Sequence, residues 1–348
     1  MSTRFSEDPR PVTDLESAIA VIPLPAFDTP RRIGLEYERI HLHPGGNAVS
    51  YGEPAGIKAL LSGFVEDGFT AFDDQGELVG AARDGHFVGV EPGGQLEFSG
   101  APRETLAVVA DDFGKFLNLE NELLARLGIM HWNHGLSPVA LPECPWMPKA
   151  RYPVLRARLE KAGKLGRRMM QQTAGVQLNL DWRSGEELSS MWDVALRLAP
   201  FMDALAANSP RLDGAPGELA SHRMWIWTDT DTPRCLAPAP FFDAPFTLET
   251  FARWAWSVPA VFRVREGRFE AFGPASIGEL AQMGEVTAGD WLLHLTALFT
   301  EQRLKPHLEV RGMDSVPPHL TMTLAALWTV ALYDEGVRQQ LDKVLPRY

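Results

Sequence analysis

The sequence predicts an α+β fold, in which a curved antiparallel β-sheet forms a funnel and helices surround it. Three observations carry this. Between Thr70 and Gly100, short β-prone runs are cut by the turn signals Asp73-Asp74-Gln75-Gly76, Asp84-Gly85 and Pro92-Gly93-Gly94. Runs this close pair only antiparallel, because a parallel crossover needs a dozen or more residues. Stretches of helical spacing lie outside this meander instead of alternating with its strands, so no βαβ series is present. Four separate strands each place acids or amides at alternate positions opposite an apolar face, as one sheet with a wet concave side would.

The elements follow in order. Residues 1–30 are rich in Pro, Ser, Thr and Asp, with one helical piece at Asp14–Ile22, which predicts an arm on a single domain of residues 31–348. Ile33–His43 reads as a strand with Leu35 and Tyr37 on one side and Glu36 and Glu38 on the other; a helix is predicted at Gly56–Asp67. After the meander a long helix runs from Arg103 to Leu127, stopped by Gly128. Pro142, Pro145 and Pro148 make a loop, and one helix is predicted over Pro153–Met170. Gly175–Trp182 alternates cleanly as a strand, and Ser184–Glu187 has the pattern of a capping box opening a helix. Arg223 precedes Trp225-Ile226-Trp227, read as a strand; further helices are predicted at Leu248–Ser257, Ala288–Phe299 and Leu320–Gln340, with a strand at Pro306–Gly312.

Composition narrows the function. Of 348 residues, 45 are acidic and 33 basic, for a net charge of −12, and the acids are scattered, which argues against nucleic acid or an anionic membrane surface as partner. Two cysteines, Cys144 and Cys235, make no disulfide framework, and no spacing matches a zinc site. Nothing approaches the roughly 18 uninterrupted apolar residues of a membrane helix, and the polar start Met1–Arg10 has no apolar leader. The expectation is a cytoplasmic protein.

The chemistry concentrates on the alternating strands. In Glu36-Tyr37-Glu38 the two carboxylates share a strand face about 7 Å apart, where they repel unless a cation lies between them. Gln95 and Glu97 share a face beyond the Pro92-Gly93-Gly94 turn; Gln177, Asn179 and Asp181 form a third polar face and His307, Glu309 and Arg311 a fourth. Each alone reads most simply as the wet side of a half-exposed sheet. Together, on one concave surface, they make an all-oxygen pocket suited to Mg²⁺. Lys149, Arg151, Arg223, Arg303, Lys305 and Arg311 supply the cationic groups that phosphate charge requires. No P-loop, dinucleotide fingerprint or nucleophile elbow is present, and nothing beside Cys144 lowers its pKa.

Seven stretches carry a family resemblance: IGLEYE at Ile33–Glu38, VEPGGQLEFSG at Val90–Gly100, MPKARY at Met147–Tyr152, GVQLNLD at Gly175–Asp181, ANSP at Ala207–Pro210, WIWTDTD at Trp225–Asp231 and RLKPHLEVRG at Arg303–Gly312. In that order they resemble the plant and proteobacterial glutamate–cysteine ligases, within the carboxylate–amine ligases built on a glutamine-synthetase-like fold. The resemblance implies that ATP phosphorylates the γ-carboxylate of glutamate and that the amine of cysteine displaces the phosphate. It implies Glu36, Glu38, Glu97, Gln177 and Glu309 as ligands of Mg²⁺, with Mn²⁺ as a substitute. Arg151 and Arg223 would clamp the carboxylates of glutamate, with Lys149, Trp225 and Trp227 on the same side. Arg303 and Arg311 would meet the reacting phosphate, with Lys305 beside them on the nucleotide. A monomer or homodimer acting on glutamate, cysteine and ATP is expected.

Two departures stand out. Met313–His319 (MDSVPPH) replaces an acidic, glycine-rich, tryptophan-bearing stretch, and Tyr37–His41 (YERIH) replaces a histidine- and lysine-bearing one. Both point to the accepting amine as the feature open to change, so a γ-glutamyl ligase with another acceptor is the first alternative. A non-catalytic binding protein is the second, and it gives no reason to keep clustered, repelling carboxylates.

Overall fold

The computed structural model describes residues 8–25, 29–243 and 245–346. The arm predicted for residues 1–30 falls partly outside these. Within it, α1 (Leu15–Ala20) is capped by Asp14, and Val12 N–H donates to Val286 O at 3.0 Å.

The chain then enters β1 (Ile33–Leu42), α2 (Ile57–Glu66) and the meander β2 (Thr70–Asp74), β3 (Glu77–Arg83), β4 (His86–Val90) and β5 (Leu96–Ser99). The two tight hairpins use the residues the sequence offers: Gln75 and Gly76 take φ of 52° and 85°, Asp84 and Gly85 take 52° and 83°. Paired positive φ values match the twist of antiparallel strands. Next come α3 (Leu106–Leu127), ended by Gly128 in the left-handed region at φ 67°, and β6 (Met130–Trp132). The single helix expected over Pro153–Met170 is two, α4 (Tyr152–Ala162) and α5 (Gly166–Gln172). A Cβ at Gly163 would sit 2.2 Å from Asp229 O and one at Gly166 2.7 Å from Leu159 O, so the break lies where the backbone is crowded by neighbours.

β7 (Val176–Leu180) and α6 (Gly185–Leu205) follow as expected, with Ser184 Oγ accepting from Glu187 N–H. After the short pair β8 (Arg211–Leu212) and β9 (Ala215–Pro216), the segment expected as a Trp-Ile-Trp strand is a helix, α7 (His222–Thr228), because Ser221 caps it by accepting from Met224 N–H. The remainder is β10 (Cys235–Leu236), α8 (Leu248–Ser257), the hairpin β11 (Phe262–Arg265) and β12 (Arg268–Ala271), α9 (Ile277–Gln282), α10 (Ala288–Thr296), β13 (Phe299–Thr300), β14 (Gln302–Leu304) and β15 (Leu308–Val310). The last helix expected, Leu320–Gln340, divides at Asp334 into α11 (Pro318–Tyr333) and α12 (Glu335–Val344); Asp334 caps the second by accepting from Val337 N–H.

The main sheet runs β14-β15-β7-β1-β5-β4-β3-β2, with β6 paired to the far end of β1. The four strands that carry the acids and amides, β15, β7, β1 and β5, are consecutive neighbours and antiparallel throughout. One face of this sheet is dry. Tyr37 donates to Val316 O at 2.8 Å and meets Phe113 edge-on at 5.1 Å, and Phe98 stacks on Phe116 at 4.4 Å. Aromatic rings locked against α3 fix which way each strand faces, because a slip of one residue would reverse every side chain. The mixed helix and antiparallel-sheet architecture, with the sheet left open, is the predicted one.

Candidate active site

Period two now places the polar residues. Across the concave face Glu38 is opposite Glu97, Glu36 is opposite Ser99 on one side and Gln177 on the other, and Asn179 is opposite Gly34 and Glu309. Glu309 is in turn opposite Arg303. Acids gather toward β5 and cations toward β14.

These side chains surround a cavity of about 770 Å³. Glu36, Glu38, Glu97, Lys149, Arg151, Gln177, Arg223, Arg303, Lys305 and Arg311 all line it, together with Trp227. Two expected residues stand elsewhere. Trp225 is absent from the lining and is 38% exposed, because its helix turns that side chain outward while Trp227 points in. Glu309 is fully buried behind the wall.

Glu309 is a counter-ion in this arrangement, not an open metal ligand. Its carboxylate accepts from Arg303 Nε at 2.5 Å and Nη2 at 2.9 Å, from Lys305 Nζ at 3.2 Å and from Arg311 Nη1 at 2.8 Å. Burial opposes its charge, but Arg303, Lys305 and Arg311 outweigh burial and hold its carboxyl well below the usual range. Arg303 spends its remaining bonds on Thr296 O and Leu298 O, both at 3.1 Å, so it braces the wall as much as it faces a ligand. Gln177 is likewise committed: its Oε1 accepts from Arg311 Nη1 and its Nε2 donates to Glu38 Oε1 at 3.1 Å. The amide orientation follows from its partners, since a guanidinium only donates and a carboxylate only accepts.

The acids on β1 and β5 are in the opposite condition. Burial, then the charges of Glu91 and Glu97, push Glu38 up to about 8. Burial, then Glu36 and Glu91, push Glu97 up to about 7. Glu36 differs: burial opposes its charge, yet Lys305, 3.9 Å away, and the Asn179 amide at 2.8 Å bring it down to about 2. Glu91, within the Val90–Gly100 stretch but ahead of the turn that leads to Gln95 and Glu97, lines the same cavity. The Pro92-Gly93-Gly94 turn puts it there: Glu91 N–H donates to Gln95 O at 2.8 Å, and a Cβ on Gly93 would strike Gln171 O at 2.1 Å.

Glu38, Glu91 and Glu97 are therefore carboxylates that face one cavity and repel one another. That donor set fits the charge of a hard divalent cation, which would relieve the repulsion. Among the described residues no three acids or imidazoles yet converge at metal-binding geometry.

On the cationic side, burial pushes Lys149 down, and Arg151 Nε has no hydrogen-bond partner. Arg223 donates through Nη1 to Gly312 O at 2.6 Å and through Nη2 to Arg311 O at 3.2 Å, so it holds the chain after β15 as well as lining the cavity. Apart from Glu38, no residue of either sequence departure lines the cavity. Arg39 and His41 lie on the opposite face of β1, bonded to the buried Glu120 of α3. Asp314 ties the loop before β8 to α7, accepting from Ser209 Oγ at 2.6 Å, Ser221 Oγ at 2.9 Å and Asn208 N–H at 2.8 Å.

A family model described as glutamate-cysteine ligase family 2 matches residues 32–347. Chloroplastic glutamate–cysteine ligase A of Oryza sativa subsp. indica is 35% identical over 326 residues, covering 89% of this chain and 65% of that protein. The chloroplastic ligase of Solanum lycopersicum is 36% identical over 325 residues, covering 89% and 61%. The chain thus spans less than two thirds of the length of these relatives. Among solved structures, the glutamate–cysteine ligase of Francisella tularensis in complex with AMP superposes with a TM-score of 0.51 at 12% identity, covering 94% of this chain and 69% of that one; the likeness establishes the fold. The relatives' chloroplastic names overturn the expectation of a cytoplasmic protein, which rested on the lack of an apolar leader.

Proposed function

We propose, from the premise that the chain belongs to glutamate-cysteine ligase family 2, that it joins the γ-carboxylate of L-glutamate to the amine of L-cysteine at the expense of ATP. The observation that carries this reading is the charge gradient along one concave face, from the mutually repelling Glu38, Glu91 and Glu97 to Arg303, Lys305 and Arg311 on and just after β14 and β15. A substrate pair made of a triphosphate and an amino acid has the complementary requirements.

In this reading a γ-carboxylate oxygen of glutamate attacks the γ-phosphorus of ATP and ADP leaves. The amine of cysteine then attacks the acyl carbon, loses a proton, and phosphate leaves with the acyl oxygen. Neither step needs a protein nucleophile, so catalysis is positioning and charge stabilisation. Arg151 and Lys149 meet the carboxylates of glutamate from the loop before α4. Arg311 makes both of its side-chain hydrogen bonds through Nη1, which leaves the rest of its fork for the transferring phosphoryl group. Lys305 completes that side, and Glu309 keeps the three cations in place. Glu38, Glu91 and Glu97, with Glu36 beside them, would hold Mg²⁺, whose charge neutralises the triphosphate.

The acceptor is cysteine in this reading, since the replaced residues Arg39 and His41 face Glu120 and none of Met313–His319 lines the cavity, so the departures give no ground for another amine. Incubation with glutamate, ATP, Mg²⁺ and a panel of amines tests it. Formation of ADP and a γ-glutamyl product with cysteine preferred is expected; equal rates across the panel would sink the acceptor assignment, and no glutamate-dependent ADP would sink the ligase reading.

A further inference from the structure

Behind the cavity wall, on the far side of Gly312, stand two acids that the reaction does not use. Glu301 lies in the turn between β13 and β14, and Asp203 near the end of α6. A Cβ on Gly312 would sit 2.2 Å from Glu301 Oε2 and 2.3 and 2.5 Å from the two oxygens of Asp203, so both carboxyl groups close on this one glycine and on each other. Glu301 Oε2 is sealed from solvent and receives no hydrogen bond from any donor. Its polar neighbour is another carboxyl, and two carboxylates cannot bond unless one of them carries a proton. A buried acceptor left without a donor is costly.

We propose that Asp203 and Glu301 share a single proton and, as a pair, are positioning residues for Arg311 and Arg223. The inference rests on the reading of those two arginines as groups that meet substrate.

The connections are short. Arg311 N–H donates to Glu301 O at 2.9 Å, and Glu301 N–H donates to Leu236 O at 2.8 Å, so the turn bearing Glu301 sets the height of Arg311 on the wall. Arg223 grips Gly312 O and Arg311 O from the other side. Gly312 is thus clasped between a guanidinium and a carboxyl pair. With one proton the pair carries a single negative charge, which Arg223 balances. With none it carries two in an enclosed space, and Arg223 is drawn off the carbonyls it holds.

The groups that face the pair are Arg223 of α7, Arg311 just after β15, and Asp314. Beyond Leu236, burial pushes the Cys235 thiol up to about 12, so it adds no charge. Burial, then Glu301, raises Asp203 well above the usual carboxyl range, and burial raises Glu301 as well. This agrees with a retained proton. An amide in either position supplies a donor that cannot ionise.

The test compares the full-length wild type with Glu301→Gln and Asp203→Asn. Each activity, as kcat/KM for glutamate with ATP, Mg²⁺ and cysteine, is normalised to its own value at pH 7 and followed upward. The expected result is an alkaline limb displaced upward by about one pH unit or more in both variants. Limbs superimposable on the wild type, or a loss equal at every pH, would overturn the proposal, since a merely structural role moves the level and not the shape. An infrared difference spectrum of wild type minus variant, with Mg²⁺ present, reads the proton without turnover. A protonated carboxyl band at neutral pH in the wild type, absent from the variant, is expected; no such band would overturn the pair even if the ligase reading stands. Should neither variant fold, the wild-type band is compared with that of Glu38→Gln and Glu97→Gln, the other acids raised toward neutral pH: a band retained in both supports the pair, and one lost in them overturns it.

Discussion

The two ends of the concave face hold buried acids in opposite states. At the β14–β15 end, Glu309 is bonded to Arg303, Lys305 and Arg311 and keeps its charge. At the β1–β5 end, Glu38 and Glu97 are raised to about 8 and 7, by burial and then by other acids. Both ends look alike in the sequence, as acids alternating with apolar residues. The difference teaches that a buried carboxylate is identified by its partners: one end is a finished ion-pair network, while at the other Arg223 and Lys149 act on Glu38 and Glu97 but, among the described residues, close no ion pair with them.

The largest expected effect breaks the finished end. Glu309→Ala leaves three cations uncompensated in the wall and should destabilise the ligand-free protein by about 3–5 kcal/mol, read by chemical denaturation. A loss below 1 kcal/mol would mean that the network is not what holds β14 against β15. The unfinished end should respond with the opposite sign. Glu97→Gln removes repulsion, so the metal-free protein at pH 8 should gain about 1 kcal/mol while its stabilisation by Mg²⁺ with ATP disappears. A variant that is less stable without metal would show that Glu97 is already satisfied.

The pH dependence sharpens the same contrast. Glu38 and Glu97 have folded values above the ordinary 4.5, so the folded chain holds protons that the unfolded chain has released. Stability of the metal-free protein should therefore fall as pH rises from about 4.5 to about 8, then level off. Glu309 and Glu36 are lowered, so their contribution is lost only as pH falls below the ordinary range. Denaturation midpoints across pH 5–9, with and without Mg²⁺, check this; a decline untouched by Mg²⁺ would assign it to other groups. The smallest effect concerns the tryptophans. Trp225→Ala at an exposed position should change stability by no more than about 0.5 kcal/mol and leave the KM for glutamate alone, whereas Trp227→Ala should raise it. Equal effects would restore Trp225 to the site.

Much of this was legible in the chain. The period of two put Glu36, Glu38, Glu97, Gln177 and Arg311 on one face, and the short spacings of the meander required an antiparallel sheet. What was hidden depended on tertiary context. Trp225-Ile226-Trp227 has strand propensity, but Ser221 caps a helix there. The helix expected over Pro153–Met170 breaks between Gly163, crowded by the remote Asp229 O, and Gly166, crowded by Leu159 O of the preceding helix. Arg39 and His41 looked like changes to the site, yet they sit one residue out of phase with it and face Glu120. Asp203 and Glu301 are 98 positions apart and carry no motif; only the fold brings them to Gly312.

The central claim is that Glu38, Glu91 and Glu97 are short of a divalent cation while Glu309 is not. Titration of the unliganded protein with Mn²⁺, followed by electron paramagnetic resonance of the free ion, tests it most directly. The account predicts saturable binding to the wild type that is weakened at least tenfold by Glu38→Gln or Glu97→Gln and retained in Trp225→Ala. Binding that survives both carboxylate changes, or no binding to the wild type with ATP present, would contradict it.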